Sequence, residues 1–382
     1  LKYFIYAIIF FSFFDLFTQL PIMSTFAESI GTSSFVTGLA VGMYSFSNTF
    51  GNIISGIWTD RKGPFIILII GLLTTGLSLF SYGLINDTLS LLVVRFLHGL
   101  VAGLIVPAAF TYLSNLVNKE ERGKGSAISG AFVGIAAITG PAFSGILASR
   151  TSVPFVFSIT AIFMLLLGVI AIFVLSKFPT NTNRKVKQHN PTSKISDLLL
   201  HTGVIKALTG AFFLMFSQGV IAYLLPLHVE ALSYDAKVSG TLLSTFGVVA
   251  VLVFLLPTNR IFDRVTPIYT LSLGIALMGG SQLLLSIAND IALLYVAMAT
   301  YGIGFGFLFP SINSLLIDST TKATRGKAYG YFYAFFSLGV VVGSSILGWL
   351  SLSISHGFLL TGVILLFFAL ITLIKKTKST TR

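Results

Sequence analysis

The sequence predicts an all-α membrane protein of twelve transmembrane helices, arranged as two six-helix bundles that repeat one another in parallel. Three observations carry that expectation. Of the 382 residues, 55% are hydrophobic and only 9% charged, with a mean hydropathy of +0.93; a soluble domain carries about 25% charge. Breaking the chain at its polar clusters leaves twelve stretches of spanning length, roughly 20 mainly apolar residues each. A gapless offset of 203 residues lays polar and glycine positions of the first half onto the second.

The first span, 3–27, carries Asp15 in its middle and runs past the length of a signal peptide, so it reads as a spanning helix and not a cleavable leader. The second, 34–58, ends in Asp60-Arg61 and a Gly63-Pro64 turn. The third, 65–85, stops at Asn86-Asp87; the fourth, 89–117, holds Arg95, His98 and Pro107; the fifth, 126–149, holds Gly140-Pro141; the sixth is 153–176. A polar, basic stretch, 177–203, reads as a linker between domains 1–176 and 204–382, with "ISDLLLH" as a candidate interfacial helix. The remaining spans fall at 204–230, 237–258, 266–288, 291–317, 325–352 and 356–374, before a short basic tail.

The offset matches Asp60-Arg61 to Asp263-Arg264, Pro64 to Pro267, and Asn86-Asp87 to Asn289-Asp290. It also matches Gly99, Gly103 and Pro107 to Gly302, Gly306 and Pro310, Arg122-Gly123-Lys124 to Arg325-Gly326-Lys327, and Gly140 and Gly145 to Gly343 and Gly348. Six helices separate the copies, so the halves share one orientation, which suits a transporter with a midplane site. Lysine and arginine set that orientation. Of 24 basic residues, 21 fall in the even-numbered loops and at the termini, which places both termini in the cytoplasm. The net charge of +12 is thereby a topology signal, and no nucleic-acid partner is expected.

Other chemistries find no residues. There is no cysteine, hence no disulfide or thiolate metal site. No nucleophile–base constellation, metal-ligand cluster or phosphate-cradling glycine loop occurs, so neither an enzyme nor direct ATP coupling is expected, and no cofactor or metal.

The intramembrane ionisable groups concentrate the functional reading. Asp15 lies about 12 residues into helix one, roughly 18 Å deep, with Ser12 and Gln19 on its face. It is the one carboxylate clearly at depth. Either it exchanges a proton as access alternates, or it forms a permanent ion pair with Arg95 that tethers two helices. Arg95 keeps its proton; it tunes Asp15, binds an anionic substrate group or bonds backbone carbonyls. His98 shares its face at i+3 and either joins the proton work, contacts substrate or lines the cavity. Glu230 and His228 are second choices. In the second half Gln218 takes the repeat position of Asp15, so the protonatable site is asymmetric. Gln19, Tyr44, Asn48, Gln218, Tyr223, Tyr301, Tyr331 and Phe335 are candidates to line a substrate cavity.

Three stretches resemble the major facilitator superfamily, in its twelve-helix drug:proton antiporter branch, and the resemblance covers the whole chain. "GIWTDRKGP" (Gly56–Pro64) resembles the family's loop signature, with Gly56, Asp60, Arg61 and Gly63 in register and Pro64-Phe65 in place of its final basic pair. "LVVRFLHG" (Leu92–Gly99) resembles the fourth-helix motif with its buried arginine, and "GIAAITGPAFSG" (Gly134–Gly145) the antiporter motif, with Gly134, Gly140, Pro141 and Gly145. The resemblance implies the major facilitator fold and a gate at Asp60-Arg61, where a solvated turn is the plainer alternative. It implies a specific helix contact at the Gly-Pro motif, where ordinary small-residue packing is the alternative. It also implies a monomer that exports a small amphipathic compound or drug across the cytoplasmic membrane, driven by the proton gradient through Asp15, Arg95 and His98. A dedicated exporter of a zwitterionic metabolite such as a metallophore, a lipid flippase and a nutrient facilitator are the rival expectations.

Overall fold

The computed structural model describes residues 1–116, 122–176, 201–255, 265–320 and 325–374. All regular structure among them is helical: α1 (Lys2–Thr18), α2 (Met23–Ser29), α3 (Ser34–Lys62), α4 (Pro64–Phe80) with a 3-10 turn (Ser81–Leu84), α5 (Thr88–Ala102), α6 (Ile105–Leu116), α7 (Arg122–Ala148), α8 (Val153–Leu175), α9 (Thr202–Ala231), α10 (Ala236–Leu255), α11 (Pro267–Ile287), α12 (Ile291–Asp318), α13 (Arg325–Leu350) and α14 (Ile354–Ile374). Among the described residues, ten segments are long and apolar enough to cross a bilayer, and the bent pair α1–α2 makes eleven. The more polar α3, 29 residues long, falls outside that count and is the twelfth helix of spanning length.

Two spans depart from single straight helices. The first breaks between Thr18 and Met23 with a bend of 47°. Pro21 lies in the break; it has no N–H to return to Phe17, and its ring crowds the preceding turn. The fourth divides at Gly103–Leu104 into α5 and α6. Pro107, four residues on, cannot donate to the Gly103 carbonyl. Pro141, Pro226 and Pro310 sit inside continuous helices.

The repeated polar positions are helix ends. Asp87 caps α5, its Oδ1 accepting from Leu89 N at 2.8 Å and Ser90 N at 3.0 Å, while Ser90 Oγ returns to the Asp87 amide at 3.3 Å. These donors, the Ser90 amide first, hold the Asp87 carboxyl below its usual range. Its repeat partner Asp290 caps α12 through Leu293 N at 3.0 Å. Gly63 joins α3 to α4 at φ 82°, a conformation that favours glycine, and Pro64 and Pro267 each open a helix at its first position. Asp263 and Arg264, the second copy of the loop pair, lie outside the described residues, as do most of the expected linker and the basic tail.

The chain divides into two compact units: Leu1–Val186 with Leu225–Ser244, and Lys187–Leu224 with Thr245–Arg382. In the first, α1 packs on α7, α3 on α5, and α4 on α8. In the second, α11 packs on both α12 and α14. Small residues let these backbones close up. A Cβ on Gly99 would run into Tyr44 O, and one on Gly103 would lie 2.5 Å from Asn48 O and 2.9 Å from the Gly51 Cα. Asn48 Nδ2 donates to Gly99 O at 3.2 Å and Ser55 Oγ to Leu104 O at 2.7 Å, so α3 and α5 are also tied by hydrogen bonds. The repeat glycines do the same work in the second unit: Gly302 sits 2.7 Å, by its missing Cβ, from Phe246 O, and Gly306 against Val253, on α10. Large apolar side chains such as Leu77, Leu166, Phe173, Val296, Phe367 and Leu370 point outward and remain exposed, as lipid contact requires.

Gly103→Val is expected to lower the stability of the purified protein in detergent by about 1–3 kcal/mol, read as a drop in melting temperature. Gly56→Ala, which adds its methyl to open space, serves as the control; equal melting of the two would refute the backbone-contact account of the α3–α5 pair.

Candidate functional site

Asp15, Arg95 and His98 meet in the first unit, in a polar cluster closed to solvent. Asp15 and His98 are 0% exposed and Arg95 2%. α5 presents Arg95 and His98 on one face, one turn apart, toward α1 and α3. The break after α1 leaves Gln19 at the helix end, where its amide turns back: Nε2 donates to Asp15 O at 3.0 Å and reaches Oδ1 at 3.4 Å.

Arg95 and Asp15 are both ionisable groups, yet their side chains are bridged by Gln19 and not paired directly. The guanidinium donates from Nε to Ala40 O at 2.8 Å, from Nη2 to Val41 O at 3.1 Å, and from Nη1 to Gln19 Oε1 and to Tyr82 Oη at 3.3 Å. Four of its five N–H groups are thus engaged. The Tyr44 ring lies beneath it, 5.3 Å from Cζ. The carboxylate partner is His98, whose Nε2 lies 3.1 Å from Asp15 Oδ2; on the other side of the ring, Nδ1 lies 3.1 Å from Tyr82 Oη. Tyr44 and Tyr82 both meet the imidazole edge to face, at centroid distances of 5.0 and 5.7 Å.

Tyr82 is the member that sequence reasoning did not single out. It is fully buried in the short 3-10 turn after α4. The one available signal was the only tyrosine of the third span, 65–85, whose hydroxyl needs a partner when buried.

The other candidates are spread over both units. Ser12 turns its hydroxyl to Ile8 O at 2.8 Å, within its own helix. Asn48 is occupied by the α3–α5 contact and accepts from Asn52 Nδ2 at 2.9 Å. In the second unit, Tyr301 donates to Gln218 Oε1 at 3.2 Å, so the position equivalent to Asp15 carries an amide–phenol pair. Tyr223 is buried on α9, while Tyr331 and Phe335 are half-buried on α13, one turn apart. Gly56 and Arg61 lie at the end of α3, with Arg61 exposed; the side chain of Asp60 lies outside the described residues. Lys62 extends over the Trp58 ring at 5.6 Å.

The Gly-Pro stretch on α7 makes two contacts. A Cβ on Gly140 would come within 2.9 Å of Phe17 Cβ, seating α7 on α1 beside the cluster. One turn on, a Cβ on Gly145 would lie 2.5 Å from Ala236 O and 2.8 Å from the Gly240 Cα on α10, and one on Gly240 would strike Pro141 O. Ser244 Oγ donates to Ile138 O at 2.6 Å across the same contact. Gly134 is half-buried on α7.

The sequence profile of the Major Facilitator Superfamily matches residues 5–249 and 207–382. The multi-drug resistance efflux pump PmrA of Streptococcus pneumoniae is 27% identical over 336 residues, 85% of this chain and 82% of its own. Multidrug resistance protein 1 of Bacillus subtilis is 25% identical over 346 residues, 90% and 87% of the two chains. Among solved structures, the nucleoside transporter NupG superposes with a TM-score of 0.81 over 98% of each chain at 14% identity, a likeness of fold.

Because Arg95 is the donor to four buried acceptors beside Asp15, Arg95→Ala is expected to destabilise the protein by about 3–5 kcal/mol. Asp15→Asn added to it should recover part of that loss, a coupling of roughly 0.5–3 kcal/mol. Thermal unfolding of the two single variants and the double variant measures it; strict additivity would show that the two charges do not sense each other.

Proposed function

The chain belongs to the major facilitator superfamily, and from that premise we propose that this membrane transporter exports a small amphipathic compound or drug in exchange for protons. The observation that carries the reading is the buried Asp15–His98 contact at 3.1 Å, compensated by one permanent cation. With Arg95 charged and Asp15 ionised, the cluster is neutral. One added proton makes it cationic, and expelling a proton restores neutrality. A cluster of that kind resists holding a proton and a cationic substrate in the same cavity at once, the competition that antiport requires. The relatives named as multidrug efflux pumps support the same cargo class.

The engagement of Arg95 bears on the rival cargo. An exporter of a carboxylate-rich metabolite would offer the substrate a free guanidinium edge. Here Ala40, Val41, Gln19 and Tyr82 take four of the five donors, which favours an amphipathic ligand held by apolar and aromatic walls. In this reading both termini are cytoplasmic, the energy source is the membrane proton gradient, and no cofactor takes part. One proton moving down 100 mV releases about 2.3 kcal/mol, enough for a roughly 50-fold gradient of a neutral compound. Alternating access proceeds by rearrangement around the midplane, with the α7–α10 glycine joint as a sealed contact.

The test is proton release by purified protein in weakly buffered detergent, followed with a pH indicator as ethidium or tetraphenylphosphonium is added. Wild type is expected to release protons as the cation binds, and Asp15→Asn to bind it without release. Binding without any proton change in wild type would make the chain a facilitator.

A further inference from the structure

The hydrogen bonds around His98 take their direction from the donors and acceptors that its neighbours can offer. A guanidinium only donates, so Tyr82 Oη accepts from Arg95 Nη1 at 3.3 Å. The phenol keeps its one proton for a different partner, and His98 Nδ1 stands 3.1 Å away. An Nδ1 that accepts leaves the ring proton on Nε2, which faces Asp15 Oδ2 at 3.1 Å. The chain therefore runs one way, from Arg95 to Tyr82 to His98 to the carboxylate. Packing fixes the phenol in that line: Phe157 of α8 lies against its ring with centroids 4.0 Å apart, and Tyr82 is 0% exposed.

We infer that Tyr82 is a positioning residue that holds His98 as the Nε2–H tautomer, so that the transported proton loads on Asp15 and not on the imidazole. This rests on the proton-coupled reading above. The groups facing the imidazole are Asp15 from α1, Tyr44 from α3, Tyr82 from the 3-10 turn and Arg95 from its own helix, with the Gln19 amide beside them. Protonating the ring would place a hydrogen on Nδ1 opposite the phenol hydrogen, and Tyr82 would have to turn its proton away from its acceptor. Protonating the carboxylate disturbs none of the Tyr82 bonds. The same arrangement gives Arg95 its influence on the proton site through the phenol and the imidazole, at two removes from the carboxylate.

Tyr82→Phe keeps the ring and removes the donor. Nδ1 then lacks its hydrogen bond and the imidazole competes for the proton. The pH at half-maximal proton release on ethidium binding is expected to rise by about one unit, a tenfold change in proton affinity for one lost hydrogen bond. Melting temperature confirms that the variant is folded. Independently of any variant, 15N NMR of histidine-labelled wild type, with His98 assigned by difference from His98→Gln, is expected to show a neutral ring protonated on Nε2. An unmoved midpoint in folded Tyr82→Phe, or a wild-type ring protonated on Nδ1, overturns the role of Tyr82 and leaves proton coupling standing. Ethidium binding without proton release in wild type overturns the coupling reading and this role with it.

Discussion

Everything in the first unit accommodates one guanidinium. Arg95 cannot shed its charge, and at depth it has no water to share it with. The fold answers with two carbonyls from α3, an amide from the end of α1, a phenol from the turn after α4 and an aromatic face beneath. These partners come from α1, α3 and the turn after α4, so satisfying a cation carried on α5 fixes how four elements meet. The break of α1 belongs to this solution. Gln19 is the C-cap residue of α1, and from there its amide reaches both Asp15 and Arg95.

The architecture was legible because lipid restricts the choices. Spans must be helical and about 20 residues long, so polar clusters mark their ends, and Asp87 and Asp290 prove to be caps of equivalent helices. What periodicity could not supply was the course of the chain within a span. A proline removes one donor and crowds one turn; whether that breaks a helix depends on the packing around it. Pro21 accompanies a 47° bend, while Pro141 and Pro310 stay inside continuous helices.

The candidate site was legible in part, for a related reason. Charged residues in apolar sequence announce themselves, and Asp15, Arg95 and His98 do come together. Their wiring was not announced. A direct Asp15–Arg95 pair and a bridged one require the same residue types, and only the fold brings Tyr82 between them. Tyr82 itself is one of 13 tyrosines, with nothing in its neighbours to set it apart. The repeat makes the contrast sharp. The two units share caps and glycine contacts, yet the positions of Asp15 and Gln218 carry an ionisable group and an amide bonded to a phenol. At that one repeat position the first unit places an ionisable group and the second an amide–phenol hydrogen bond.

The joint between α7 and α10 is backbone against backbone, with Gly145, Gly240 and the Pro141 carbonyl in contact. Glycine is the smallest residue, so every single substitution there adds atoms to a place with none to spare. Sequence change has no gradual route through that joint. Change is easier at rings such as Phe335, which is half-buried, where one side chain can be exchanged for another of similar bulk. The chain is thereby divided genetically, into a contact that admits no drafts and side chains that can be rewritten.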